Sequence, residues 1–232
     1  VQEFAKNYFF KMHHFIKDER LIRFIKNKYK CTQNECDEKS FLYLTTKKLE
    51  NFQSVENKSQ CLLVNLTTIN NILSINSFFR VMRQKLKPKG LLVGSFSALE
   101  QDYIRLRDKM PRFIYTLISP FHFILYRIFP KIPIISIIYD FITKGRGRYL
   151  SKAEVSGRLS YCGLKLLDSI LINHKLFFIA QRIESVSNEL NPSFGPLVQL
   201  KRVGYKNQII TIYKFRTMHP YSEFIQKDLF QK

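Results

Sequence analysis

Two runs of consecutive apolar residues flank a single stretch of helical periodicity, and few architectures accommodate that order. Gln60-Cys61-Leu62-Leu63-Val64-Asn65-Leu66 and Leu91-Leu92-Val93-Gly94-Ser95-Phe96 each read as a buried strand. Between them Ile72, Ile75, Phe78, Phe79, Met82 and Leu86 recur at helical spacing from Asn70 to Leu86, and Pro88 and Gly90 close that helix. Strand, helix, Lys-Pro-Lys-Gly turn and strand predict a parallel β-α-β unit and hence an α/β fold.

The flanks extend this reading. Residues 8–29 mix apolar and basic side chains at helical spacing, with Tyr8, Met12, Phe15, Ile22 and Ile25 on one face. Thr32 to Ser40 reads as a loop and Phe41 to Thr45 as a strand. Ser151 to Arg158 predicts a helix opened by a serine cap, with Glu154 at the capping-box position. Two closing strands are predicted over Cys162–Asp168 and Lys175–Arg182.

The formal charge of +20 fits nucleic acid, an anionic membrane surface or phosphorylated substrates. No helix-turn-helix, zinc-finger or RNA-recognition signature accompanies it, so nucleic acid is not the expected partner. The acidic cytoplasmic leaflet is, at roughly 1 kcal/mol per Lys or Arg held near it. Cys31, Cys36, Cys61 and Cys162 have no metal-ligand spacing and read as reduced thiols, and no metal site is expected from them. His13, His14, His122, His174 and His219 form no recognisable catalytic arrangement.

Residues 113–142 are strongly apolar and aromatic, yet the longest uncharged run, Phe113 to Tyr126, is shorter than the ~20 residues of a membrane span. Pro120, Pro130 and Pro133 are expected to break the segment further. Arg105, Arg107, Lys109 and Arg112 precede it, and Lys144, Arg146 and Arg148 follow it. This pattern suits a segment that dips into one leaflet, or alternatively a lid packed on the sheet.

Gly195-Pro196-Leu197 to Gly204 and Ile209 to Met218 read as a β-hairpin, with Gly204 expected to supply the unusual backbone angle of the turn. Lys214 and Arg216 fall on one strand face, and Arg202 stands across the turn. His219 to Glu223 is expected to open a further helix.

Two family resemblances attach to these residues. Leu86-Lys87-Pro88-Lys89-Gly90-Leu91-Leu92-Val93 looks like the "L-K-P-G-G" turn and following strand of class I methyltransferases. With the helix and two closing strands after it, the resemblance covers roughly residues 41–183 and implies a Rossmann-like sheet with helices and an apolar helical insertion. Methyltransferases normally hold adenosylmethionine with a glycine-rich loop after the first strand and an acidic residue ending the second. This chain has no glycine before Gly90, and its only G-x-G is Gly145-Arg146-Gly147, so a cofactor site is not visible. Either preceding strands lie outside the sequence, or the fold is kept as a degenerate scaffold.

The second resemblance is to bacterial polyprenyl-phosphate phosphoglycosyl transferases, the sugar transferases, at the start of their catalytic domain. The family pattern is "G-P-V-F-F-x-Q-x-R-V-G" followed by "Y-K-F-R-T-M". Arg202-Val203-Gly204 and Tyr213-Lys214-Phe215-Arg216-Thr217-Met218 match it. Gly195 and Pro196 match one residue closer to Arg202 than the pattern asks, and Leu200 stands in place of Gln. The resemblance covers residues 194–223. It implies transfer of a sugar-1-phosphate from a nucleotide sugar to a polyprenyl phosphate, at the cytoplasmic face of the bacterial inner membrane. In that role Arg202, Lys214 and Arg216 would position phosphates and Mg2+ would assist.

The family's nucleophile is an aspartate of an Asp-Glu pair downstream of "K-F-R-T-M". None follows Met218, so the nucleophile is expected beyond Lys232 and the chain is expected to be an inactive fragment. Asp18-Glu19 and Asp37-Glu38 lie upstream and receive no catalytic role. The family also carries a re-entrant helix broken at a Ser-Pro pair, which makes Ser119, Pro120, Phe121 and Phe123 the expected membrane-contact residues.

The expected organisation is a Rossmann-like domain over 1–183 with an apolar insertion at 113–142, a linker at 184–193, and the start of a truncated sugar transferase domain at 194–232. The alternatives are an adenosylmethionine-dependent methyltransferase-like protein and a non-enzymatic, membrane-associated scaffold.

Overall fold

A computed structural model describes residues 12–32, 40–144, 148–184 and 195–230. Its elements in chain order are α1 (Glu19–Thr32), β1 (Phe41–Leu44), β2 (Gln60–Thr68), α2 (Ile75–Lys85) and β3 (Leu86–Phe96). Then come α3 (Leu99–Lys109), α4 (Arg112–Phe123), a π-helical turn (Ile124–Ile128), α5 (Pro133–Thr143) and α6 (Lys152–Tyr161). Strands β4 (Leu164–Ile172), β5 (Lys175–Arg182), β6 (Leu197–Val203) and β7 (Ile209–Phe215) precede α7 (Ser222–Phe230).

The α/β expectation holds. Strands β1, β2 and β3 are parallel, and β2–α2–β3 is the predicted crossover unit. The main sheet has the order β1-β2-β3-β5-β4, with β5 antiparallel to both neighbours. The final pair of strands therefore closes the sheet by inserting the last strand between the third and the fourth.

The pleat sorts the apolar residues into two cores. Leu62, Val64, Leu91, Val93 and Ile179 face α1, where Leu21, Ile22 and Ile25 cover them. Leu63, Leu92, Phe178 and Ala180 face the opposite layer, made by Phe78, Phe79 and Met82 of α2 and Val155 and Leu159 of α6. Such runs are continuously apolar because both sheet faces are covered. On β3, Gly94 pairs with Phe178, and a Cβ on it would come within 2.5 Å of the Phe178 ring. A glycine is needed there for close approach.

Four local expectations are corrected. The helix foreseen over 8–29 is interrupted: Met12–Phe15 is helical, and α1 begins anew at Glu19. Asp18 is the reason, since its carboxylate accepts the Arg20 N–H at 2.9 Å and the Arg20 guanidinium at 2.9 Å. Tyr8 lies outside the described residues. Pro120 does not end its helix, because α4 runs through it to Phe123; the chain turns at Phe129–Lys131 instead, and Pro133 opens α5. Gly204 has ordinary extended backbone (φ −98°), and the left-handed residues of that turn are Lys206 and Asn207. Finally, Cys61 is disulfide-bonded rather than a thiol.

Cys162 is a free, buried thiol, and burial pushes its pKa up to about 12. The folded state thus holds a proton that the unfolded chain releases from about pH 8.5, so this group's contribution to stability falls as pH rises from there towards about 12. Native protein at pH 8 is expected to leave Cys162 unalkylated by iodoacetamide, and unfolding in urea should release it. Prompt native labelling at Cys162 would contradict the burial.

Candidate functional site

In open α/β sheets, ligands bind beyond the carboxyl ends of the parallel strands. Here that edge is closed by side chains bonded to backbone. Asn65, in the carboxyl half of β2, donates to the Thr46 carbonyl at 2.8 Å and accepts the Thr67 N–H at 3.0 Å. Asn70 accepts the Ser97 N–H at 2.8 Å and donates to the carbonyls of Ser97 and Arg148, at 2.9 and 2.7 Å. Ser95 donates to the Leu66 carbonyl at 3.3 Å. Among the described residues this edge offers no glycine cradle, and its nearest carboxylate after β3 is the exposed Glu100 in the first turn of α3. The described residues of this edge do not form the glycine cradle that normally holds adenosylmethionine.

The apolar insertion forms a helical excursion instead. Its inner side is fixed by rings: His122 lies 4.7 Å from Tyr126 and 5.2 Å from Tyr149, and Tyr126 meets the buried Tyr139 edge-on at 6.4 Å. Its outer side is left uncovered. Phe113, Leu117 and Phe121 follow one another at four-residue spacing on α4, and Ile137, Ile138, Phe141 and Ile142 do the same in pairs on α5; all are more than half exposed. Of the expected membrane-contact residues, Phe121 and Phe123 are exposed, Pro120 lies inside α4, and Ser119 is half-buried with its carbonyl 3.5 Å from the Tyr103 hydroxyl. No helix among the described residues is long and apolar enough to cross a membrane.

A buried charge network ties the excursion to the sheet. Arg127, in the π-helical turn, donates to Glu154 at 2.9 Å and to the Tyr149 carbonyl at 2.9 Å. Arg158 reaches the other Glu154 oxygen at 3.1 Å and donates to Asn76 at 2.9 Å. The Glu154 side chain is only 1% exposed, so one carboxylate is shared by two cations out of water. The network also grips the chain beyond the hairpin. The Arg158 guanidinium stacks 4.4 Å over the Tyr221 ring, Asn76 donates to the Tyr221 hydroxyl at 2.7 Å, and His219 Nδ1 lies 3.0 Å from Ser151 Oγ. Burial raises the Tyr221 pKa, and Arg158 opposes that shift in part.

The Ser151 cap is as expected, since the Glu154 N–H donates to Ser151 Oγ at 3.2 Å, but the Glu154 carboxylate goes to Arg127 and Arg158 and does not complete a capping box. That pairing was missed. The available signal was Arg127, a cation inside an apolar run, which needs a buried partner.

The hairpin stands apart as its own two-stranded sheet. Arg202 and Lys214 are exposed on one face, but Arg202 pairs with Ile210 and Lys214 with Val198, four positions along the strand. At about 3.3 Å per residue they are roughly 13 Å apart, too far to hold one phosphate together. Arg216 lies just past β7 and donates through Nε to the Gly195 carbonyl at 2.9 Å. The structure thus brings together none of these three cations.

The fold belongs to the Rossmann-like, methyltransferase-like class by its parallel crossover and antiparallel closing strands. No protein-family model matches the chain, and no curated protein sequence does. Similar solved structures include a possible exported protein from Bordetella parapertussis, 14% identical over 57% of this chain and 42% of that one, with TM-score 0.36. The CurJ carbon methyltransferase is 12% identical over 60% of this chain and 33% of that one, with TM-score 0.34. An S-adenosylmethionine-dependent methyltransferase from Mesorhizobium loti is 12% identical over 58% and 67%, with TM-score 0.35. This chain therefore spans less than half of the first two proteins. Overlaps this partial carry no argument of their own, and the fold reading rests on the strand order.

The expected phosphoglycosyl transferase activity is corrected. The cations expected to position its phosphates are not brought together: Arg202 and Lys214 lie four positions apart along the hairpin, and Arg216 is bonded to the Gly195 carbonyl. Of the motif over Tyr213–Met218, Tyr213–Phe215 form the exposed end of β7 and Arg216–Met218 follow the strand. The magnesium ion expected for that chemistry lapses with it; among the described residues no cluster of three His, Cys, Asp or Glu could hold a metal.

Proposed function

We propose that this chain is a methyltransferase-like module that docks on an anionic membrane leaflet through α4 and α5. The observation that carries the reading is the row of seven exposed apolar side chains on these two helices, anchored beneath by rings and by Arg127. A patch of this kind marks an interaction site. The cations Arg105, Arg107, Lys109 and Arg112 lead into it and Lys144 follows it, which suits anionic headgroups. At 12 residues, α4 is about 18 Å long, enough to lie in one leaflet and too short for the ~30 Å hydrocarbon core. The cytoplasmic face is the proposed side, because that leaflet is the acidic one. In this reading residues 1–183 form the module, 184–193 link it, and 194–232 carry a basic hairpin segment that returns to the core through Tyr221 and Phe224.

The test is flotation with phosphatidylglycerol-containing vesicles. Leu117→Asp with Phe141→Asp changes only exposed positions and is expected to weaken binding by roughly tenfold or more, since each buried apolar side chain contributes ~1.5–3 kcal/mol. Flotation equal to that of the native chain would remove the reading.

The strand order also favours a second reading, adenosylmethionine-dependent methyl transfer. Calorimetric titration of the full chain with adenosylmethionine decides it. The Asn65 and Asn70 contacts lead us to expect no heat of binding, whereas saturable binding would establish the cofactor and refute the closed edge.

A further inference from the structure

We infer that the β6–β7 hairpin is a second lipid contact, laying one face on the same anionic leaflet that receives α4 and α5. The inference rests on the membrane reading above. Residues directly opposite in an antiparallel pair share a face. The pairs Leu197 with Phe215, Gln199 with Tyr213, Lys201 with Thr211, and Val203 with Ile209 therefore share one side, which carries five apolar side chains around the cation Lys201. Those five are between 48% and 78% exposed, which is unusual for a face so apolar. A two-stranded sheet without a covering layer is marginal in water, so this face needs an occupant.

Charge identifies the occupant. From Gly195 to Ser222 the chain holds Lys201, Arg202, Lys206, Lys214 and Arg216 and no Asp or Glu. A second copy of a chain with formal charge +20 would be repelled, whereas an anionic surface is attracted. Arg202 and Lys214 project from the opposite face, but a strand's thickness keeps them within the Debye length of about 8 Å from headgroup charge.

Continuity identifies the surface as lipid rather than an acidic protein. The end of the hairpin segment is held against the helical excursion, with His219 Nδ1 3.5 Å from Arg127. Exposed Ile124 and Leu125 sit in the same π-helical turn as Arg127. Both apolar surfaces thus rise from one base. The backbone permits only shallow entry: both strands of a two-stranded sheet are edges, and their unpaired N–H groups cannot enter hydrocarbon. Lying flat at headgroup depth, they can donate to phosphate oxygens while the side chains reach about 5–10 Å inward.

The chain contains no Trp, so single replacements report cleanly. Tyr213→Trp reports the hairpin and Phe141→Trp the helices, each in the full chain, with phosphatidylcholine/phosphatidylglycerol vesicles carrying brominated acyl chains. The expected result is a blue shift and bromine quenching at both positions, with loss at Tyr213→Trp when high salt screens the headgroups. Quenching at Phe141→Trp with none at Tyr213→Trp overturns the hairpin contact and leaves the module reading standing. Quenching at Tyr213→Trp alone sinks the module reading and, with it, the shared leaflet, so it overturns the inference as a second contact. Quenching at neither position overturns both. Blue-shifted Tyr213→Trp emission without vesicles would show a protein-covered face and overturn the inference.

Discussion

A Glu154→Gln protein is expected to unfold with about 3–5 kcal/mol less free energy than the native chain. The substitution keeps shape and leaves the Ser151 cap in place, because the cap is made by the Glu154 N–H. What it removes is the negative charge between Arg127 and Arg158, each donating to a different Glu154 oxygen. Both guanidinium groups are about one-tenth exposed, so neither is well solvated once the carboxylate is gone. Urea denaturation measures the loss. Replacing all three side chains with apolar residues of similar volume is expected to restore most of it, since the penalty lies in uncompensated charge. A loss below about 1 kcal/mol, the range of exposed pairs, would mean that the network is solvated and not structural.

Gly157→Ala is expected to release the segment that follows the hairpin. A Cβ at Gly157 would lie 2.3 Å from the Tyr221 carbonyl oxygen and 2.7 Å from its carbon. Backbone cannot swing aside as a side chain tip can, so either α6 or the Tyr221 turn must move. Tyr221 is already left-handed (φ 64°) and held by Asn76 and Arg158, which leaves it little room for adjustment. Overpacking of this kind costs typically ~1–3 kcal/mol, and here the loss falls on the docking of Tyr221 and Phe224. Limited trypsin digestion should then cut faster after Arg216. Gly157→Ala and Tyr221→Ala should combine non-additively, because both act on one contact. Full additivity and unchanged digestion would show that α7 is not held through this approach. Gly204 is less tightly placed, since the Cβ there would lie 3.0 Å from the exposed Ile210 side chain and 3.2 Å from the Gln208 carbonyl oxygen.

Local patterns carried most of the fold. The runs at 60–66 and 91–96, the α2 periodicity and the Ser151 cap are signals within a few residues of one another, and each marks an observed element, although α2 starts at Ile75 and β3 already begins at Leu86, so Pro88 and Gly90 lie in the strand. The helix over 8–29 was misread because apolar spacing continues through Asp18, while the break depends on that carboxylate capturing the Arg20 N–H. The candidate site was far less legible. Arg127, Glu154, Asn76 and Tyr221 are separated by up to 145 residues, and nothing in their spacing pairs them.

The sequence alone determined an α/β sheet covered on both faces, an apolar helical excursion rimmed by cations, and a basic hairpin. Periodicity and composition suffice for these because burial is a property of each element's own faces. Only the tertiary structure decided how the pieces meet. It closed the ligand edge of the sheet with Asn65 and Asn70, and spread Arg202, Lys214 and Arg216 too thinly for phosphate chemistry. It also bound the excursion and the chain after the hairpin to one buried carboxylate. Those outcomes depend on distances between remote residues, and a one-dimensional pattern does not contain them.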